Sequence, residues 1–235
     1  MSSTLTINNA MVYAQTLIKN QPLNVNNLEP ALTMANTVLQ RMLGSPFVWR
    51  FNRGTLSIQI NQLAGPDYTM YLPNLGRIEK QWLVDNGNTI HDLSGEVEMA
   101  KVSSVRRPVK VAPVYDDNAG NITFRFNSVP DQPYTAWFDY QQKAPLLTGY
   151  GDTFSPVPDE FGYLFNKGFL SEAAQLVNDS RFELWRREYV YGILSAQDGL
   201  DEQAKSIFLA QMLNDGRSAF RSQSAGKMGA DGRGT

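Results

Sequence analysis

The hydrophobic residues of this chain change their spacing twice, and that change limits the possible folds more than any other feature of the sequence. Over residues 1–45 they recur at three and four positions. Leu28, Leu32, Ala35, Val38, Leu39 and Met42 make one such face, which must pack on something. Asn27 is placed to cap that helix, Pro30 suits its first turn and Gly44 stops it. A shorter helix capped by Asn9 carries Met11, Ala14, Leu17 and Ile18. Pro22 separates the two, because proline has no N–H to give to a helical ladder.

From about Pro46 to Ala144 the spacing becomes two. Leu56, Ile58 and Ile60 alternate with Ser57 and Gln59, as in a half-buried strand. Tyr68, Met70 and Leu72 repeat this after a Gly65-Pro66-Asp67 turn. Ile78 to Val84 leads into Asp85-Asn86-Gly87-Asn88, a hairpin signal. Val109 and Val111 precede the polar turn Asp116 to Asn121, after which Ile122, Phe124 and Phe126 alternate, followed by Tyr134, Ala136, Phe138 and Tyr140. Short strands joined in this way favour an antiparallel sandwich or an open barrel over parallel units.

Helical spacing returns after Pro156 and Pro158, with Phe161, Leu164, Phe165, Phe169, Ala173, Leu176 and Val177. A break at Asn178 to Ser180 leads to Phe182, Trp185, Tyr189 and Gly192, and another at Asp198-Gly199 leads to Ile207, Phe208 and Met212. Residues 222–235 carry Gly226, Gly229, Gly232 and Gly234 with almost no apolar surface, so burial cannot order them. The fold class is therefore α+β. N-terminal helices (1–45) pack with C-terminal helices (151–221), an antiparallel β region (46–150) lies between them, and a flexible or docking Gly-rich arm (222–235) follows.

Composition supports a sizeable core, with 42% hydrophobic and 11% aromatic content in 235 residues. The 21 Lys and Arg against 23 Asp and Glu leave a net charge of -2, so no whole-chain field draws the protein to nucleic acid or an anionic membrane. Nothing near the start resembles a signal peptide, and no apolar run approaches the ~18 residues of a membrane span. Cytosolic synthesis and no membrane partner are the expectation.

Catalytic chemistry finds little to work with. The chain has no cysteine, which removes thiolate nucleophiles and cysteine metal sites. His91 is the one histidine, and its neighbour Asp92 points to the opposite face of a strand, so the two do not form a base with its orienting group. The carboxylate pairs Glu96 and Glu98, Asp116 and Asp117, and Asp201 and Glu202 have no spacing specific to glycosidase or metal chemistry. Asp116 to Asn121 lacks the alternating ligands of a calcium loop and reads as a hairpin turn. There is no phosphate-binding Gly-Lys-Ser/Thr loop and no Gly-x-Ser-x-Gly elbow. No enzymatic activity, metal or cofactor is expected.

Two contact features remain. Lys101, Arg106, Arg107 and Lys110 form the densest basic stretch, a candidate phosphate contact without interleaved aromatics, or else a solvated loop or inter-subunit ionic contact. The aromatic run Phe47-Val48-Trp49-Arg50-Phe51 reads as a fold-defining anchor in which Trp49 and Phe51 share one strand face.

Taken in order, several segments resemble the head-to-tail adaptor proteins of tailed bacteriophages, especially the tubular gatekeeper-type adaptors of short-tailed phages. The resemblance covers residues 28–215. It rests on the helix Leu28 to Leu43 ending in Gly44 and running into Phe47-Val48-Trp49-Arg50-Phe51, and on Tyr71-Leu72-Pro73-Asn74-Leu75-Gly76-Arg77-Ile78 in the β region. It rests further on Pro158-Asp159-Glu160-Phe161 opening a helix, the Gly168-Phe169-Leu170 step, and the charged aromatic helix from Arg181 to Tyr191.

The resemblance implies a structural virion protein made in the host cytoplasm. It would form a ring, commonly of twelve copies, docked beneath the portal, with the β region facing a tail or nozzle protein and double-stranded DNA passing through without sequence-specific binding. It also gives the C-terminal arm a role in portal docking, with Ser222, Gly226, Lys227, Met228, Gly229 and Arg233 as candidate contacts. Fully extended, that arm reaches on the order of 45 to 50 Å. A conduit need not be basic, since tight phosphate binding would impede passage.

The alternative from the residues alone is a monomeric β-sandwich module that binds a ligand or carbohydrate through aromatics such as Trp82 or Trp137. A hydrolase relying on Asp or Glu alone is a third.

Overall fold

The structure is a computed structural model that describes residues 3–19, 23, 27–95, 104–117, 119–197, 202–203 and 205–210. The chain is α+β and divides into two compact units. One comprises residues up to 42 with those from 145 onward, so both chain ends build it; the other is residues 43–144.

In the helical unit, α1 (Ile7–Leu17) is capped by Thr6 rather than Asn9. The Asn9 N–H donates to the Thr6 hydroxyl at 3.4 Å while Asn9 Oδ1 accepts the Thr6 N–H at 2.9 Å. Asn9 thus takes the third position of a capping box usually held by Glu or Gln. The second helix, α2 (Ala31–Leu43), begins after Pro30, later than an Asn27 cap would place it. The acceptor at its start is Glu29, whose Oε2 takes the Thr33 N–H at 3.3 Å and the Thr33 hydroxyl at 2.7 Å. After a 3-10 turn at Asp159–Phe161 come α3 (Gly162–Leu176) and α4 (Phe182–Ser195), separated by Asn178 in the left-handed region.

The shared core collects Ile7, Met11, Val38, Leu39, Phe165, Phe169 and Ile193, all fully buried. The buried Tyr189 hydroxyl donates to the Val38 carbonyl at 3.1 Å, and burial pushes that phenol well above its ordinary range. Leu176 stays 47% exposed instead of joining the core. Helical backbone recurs at 202–203 and 205–210, where no described side chain is buried. Met212 and the arm at 222–235 lie outside the described residues. Among the described residues, no helix is long and apolar enough to cross a membrane.

The N-terminal segment is tied down by one carboxylate. Asp159 accepts the Thr4 hydroxyl at 2.6 Å, the Thr4 N–H at 2.8 Å and the Ser3 hydroxyl at 3.0 Å. The Thr4 side-chain bond, then the Thr4 backbone bond, hold its pKa below the usual carboxylate value. A folded-state pKa below the unfolded one gives stability that is present above about pH 4 and fades as the pH falls through the folded value. Asp159→Asn is therefore expected to lower the urea midpoint at pH 7. Repeating the titration near pH 3 should show the gap to wild type narrowing; a gap that is constant with pH would mean the carboxylate charge is not involved.

Among the described residues of the second unit, eight strands form two sheets. They are β1 (Arg53–Ile60), β2 (Asp67–Tyr71), β3 (Leu75–Asp85), β4 (Ile90–Asp92), β5 (Ser94–Gly95), β6 (Lys110–Asp116), β7 (Asn121–Phe126) and β8 (Tyr134–Gln142). The sheet orders are β1-β8-β3-β4 and β2-β7-β6-β5. Every pairing is antiparallel except the short β5–β6 contact, which is parallel. Neither sheet closes into a barrel, in keeping with the expected sandwich or open barrel, and the two sheets share one core. Alternating inward residues from both sheets, including Ile58, Leu83, Ala136, Phe138, Ile122, Phe124 and Phe126, make one core. Phe124 and Phe138 meet across it with ring centroids 4.8 Å apart.

The aromatic run before β1 is not a strand. Residues 47–49 are irregular and Arg50–Asn52 form a 3-10 turn. The Gln141 amide explains this, since its Oε1 accepts the Trp49 N–H at 3.0 Å and its Nε2 donates to the Trp49 carbonyl at 3.1 Å. Both backbone groups of Trp49 are thereby taken by a side chain of β8. Phe47 and Trp49 are each 2% exposed, so the run does anchor the fold, through a buried amide rather than a ladder.

Candidate contact surfaces

Of the four basic residues singled out in sequence, Lys101 lies outside the described residues. Lys110 is half-buried as the first residue of β6. Arg106 is exposed; its backbone N–H donates to the Val129 carbonyl at 2.9 Å, and its carbonyl accepts the Ser128 hydroxyl at 3.1 Å. The Arg107 guanidinium is engaged within the fold, donating from Nη1 to His91 Nδ1 at 3.0 Å. His91 Nε2 in turn lies 3.0 Å from Asp85 Oδ2.

Because a guanidinium can only donate, His91 Nδ1 is the acceptor and the ring proton sits on Nε2, directed at Asp85. The carboxylate at His91 is thus Asp85, across the hairpin, and not its sequence neighbour Asp92, which stands opposite Trp82 on β3. The His91 bond is the first cause holding the Asp85 pKa below its ordinary value, aided by the Thr89 and Gly87 N–H groups. Tyr134 stands edge-on to the imidazole at 6.3 Å and donates its hydroxyl to Asp131 at 2.8 Å. Both ring nitrogens are thus hydrogen-bonded, and the cluster ties the β3–β4 hairpin to Arg107.

The turn at Asp116 to Asn121 is held by its own acceptors. Asp117 Oδ1 takes the Ala119 N–H at 2.8 Å and the Asn121 N–H at 2.9 Å, while Oδ2 takes the Asn121 amide at 2.6 Å. Those bonds, the Asn121 side chain first, draw its pKa down. Among the described residues, no group of three or more His, Cys, Asp or Glu could hold a metal ion. Glu96, Glu98, Asp201 and the candidate docking residues Ser222, Gly226, Lys227, Met228, Gly229 and Arg233 lie outside them.

Three surface features emerge that spacing alone does not single out. A cleft of about 800 Å³ opens between β3 and the β5–β6 edge, lined by Ile78, Gln81, Leu93, Gly95, Val111 and Pro113 among others. On the outer face of the first sheet, Trp82 and Trp137 are cross-strand partners with rings parallel to within 6° and centroids 6.2 Å apart. On the helical unit, Tyr163, Leu184 and Tyr191 are 56%, 55% and 50% exposed. Leu184, Glu188 and Tyr191 share one face of α4, Tyr163 and Lys167 share one face of α3, and a Lys167–Glu188 ion pair joins the two. No protein-family model matches this chain, and neither does any curated protein.

Proposed function

We propose that the chain is a structural subunit whose work is contact rather than catalysis, a head-to-tail adaptor that assembles as a homo-oligomeric ring between a phage portal and tail and forms part of the DNA conduit. The observation that supports this best is the open strip across α3 and α4. Large aromatic and aliphatic side chains facing solvent beside a paired charge are the composition of a protein contact, and Tyr is among the residues that most often carry binding energy. A ring is built from heterologous contacts between unlike faces of neighbouring copies, so one such strip per subunit serves it.

The order of the elements supports the same reading, with helices from both chain ends making one unit and the sandwich emerging between them. The portal, a tail or nozzle protein, duplex DNA and a virion location belong to this proposal, and so does the part assigned to the C-terminal arm.

Replacing Leu184 and Tyr191 together with aspartate tests it. Both are exposed, so folding stability should move by less than about 0.5 kcal/mol for each. Cosedimentation with cognate portal rings should nevertheless be lost. A doubly substituted protein that still loads onto portal rings as wild type does would remove the strip from the assembly.

A further inference from the structure

We propose that the outer face of the β1-β8-β3-β4 sheet is a saccharide-binding platform centred on Trp137 and Trp82, a function separate from ring assembly. Within the described residues of the sandwich unit, one end of this face carries its own cover. There the segment ending in Trp49 is bonded to Gln141, and Arg77 donates to Ser45 Oγ at 2.9 Å. Beyond that point Ser57, Lys80 and Asp92 are exposed, and Trp82, Trp137 and Asp139 are half-buried. Ser57, directly across β1 from Trp137, is exposed and too short to cover an indole ring.

The two half-buried indoles stack on each other, so the ring face left for a ligand is that of Trp137 on the side of Ser57, and nothing in a sandwich requires its outer face to carry such a pair. The rigid β8–β3 register fixes both rings before any ligand arrives, which lowers the entropy cost of binding.

The groups around the rings decide which ligand fits. Asp139 lies one pleat along β8 from Trp137 on the same face; its Oδ1 accepts the Thr55 hydroxyl at 2.7 Å, and Oδ2 makes no hydrogen bond among the described residues. Asp92 is exposed opposite Trp82, and Lys80 places its ammonium 5.6 Å from the Trp82 ring centroid. Two carboxylates against one ammonium disfavour a phosphate backbone, which needs clustered cations. Carboxylate oxygens, hydroxyls and an ammonium beside aromatic faces instead match a neutral pyranose, whose C–H face stacks on indole while its hydroxyls are both donors and acceptors.

Titration of the full chain with β-1,4-linked hexasaccharides of glucose and of N-acetylglucosamine, followed by tryptophan fluorescence, tests the platform. At least one sugar should give a saturable change. Trp137→Ala should weaken it at least tenfold, and Ser57→Arg, which leaves both rings in place and fills the space beside Trp137, should do the same if the alanine variant folds poorly. Absence of saturation with either sugar would overturn the proposal, as would a response that survives Ser57→Arg. So would tighter binding of a single-stranded dT dodecamer at the same rings, or a change of oligomeric state caused by Trp137→Ala, which would assign the face to nucleic acid or to a second copy of this chain.

Discussion

Replacing Phe138 with alanine is expected to cost the sandwich about 3–5 kcal/mol, enough to remove most of the margin by which an ordinary domain stays folded. Phe138 sits in the middle of β8, the strand that pairs with both β1 and β3, with Leu56 and Gln81 as its lateral partners. Its side chain is fully buried and meets Phe124 of the opposite sheet at 4.8 Å. Truncation therefore loses the transfer energy of a benzyl group and leaves a cavity that two hydrogen-bonded sheets cannot readily close. Leucine at the same position should cost less than alanine, since it refills part of the volume. Ser57→Ala on the outward face of β1, at an exposed position, should stay within about 0.5 kcal/mol. Urea unfolding followed by circular dichroism separates these cases. A loss below about 1 kcal/mol for Phe138→Ala would mean that the two sheets do not share a packed core.

The second large effect is expected at Gly168, where the usual rule for helical glycine reverses sign. Gly to Ala inside a helix ordinarily stabilises by roughly 0.5–1 kcal/mol through backbone entropy. Gly168, however, lies where α3 meets α2 and α4, and a Cβ there would stand 2.6 Å from Val38 Cγ1 and 2.8 Å from Tyr189 Cε2. Neither neighbour yields readily. Val38 is β-branched with a restricted χ1, and the Tyr189 ring is fixed by its buried hydrogen bond to the Val38 carbonyl. Overpacking of this kind costs typically 1–3 kcal/mol and exceeds the propensity gain, so Gly168→Ala should lower stability and Gly168→Val should lower it further. Gly162 provides the contrast. A Cβ there would stand 1.9 Å from Leu5 Cδ1 and 3.4 Å from Leu5 Cγ, so it fits once the half-buried Leu5 side chain turns to another rotamer. Thermal unfolding of the three variants should show Gly162→Ala less destabilised than Gly168→Ala, and a stabilised Gly168→Ala would contradict the described helix crossing.

Local spacing carried the element types well, because burial on one face of a helix or strand writes a period into the sequence. The α2, α3 and α4 core positions and the inward residues of β1, β7 and β8 were legible for that reason. Choices that depend on distant partners were not. Phe47 to Phe51 has the alternation of a strand, yet Gln141 withdraws the Trp49 backbone from any ladder. The strands β4 and β5 are too short to show a period, and the sorting of strands into two sheets depends on distant pairings, which no local pattern records. Helix starts shifted because Thr6 and Glu29 are the acceptors in place of Asn9 and Asn27.

The contact surfaces divide along the same line. Arg107 looks in sequence like a solvated cation, and only the hairpin register shows that it completes the Asp85–His91 cluster. Trp82 and Trp137 could each be noted as candidate exposed aromatics, but their pairing needed the β3–β8 register. The α3–α4 strip needed both the helix crossing and the exposure of Tyr163, Leu184 and Tyr191. Leu184 has the residue type of a core position and could not be placed on the surface by spacing alone.

Cryo-electron microscopy of the protein mixed with cognate portal rings is the most direct test of a contact-making adaptor. The expected result is a closed ring of copies seated on the portal, with Tyr163, Leu184 and Tyr191 of the helical unit at the boundary between neighbouring subunits. Bare portal rings at saturating protein, across the range of salt concentrations tried, would contradict it.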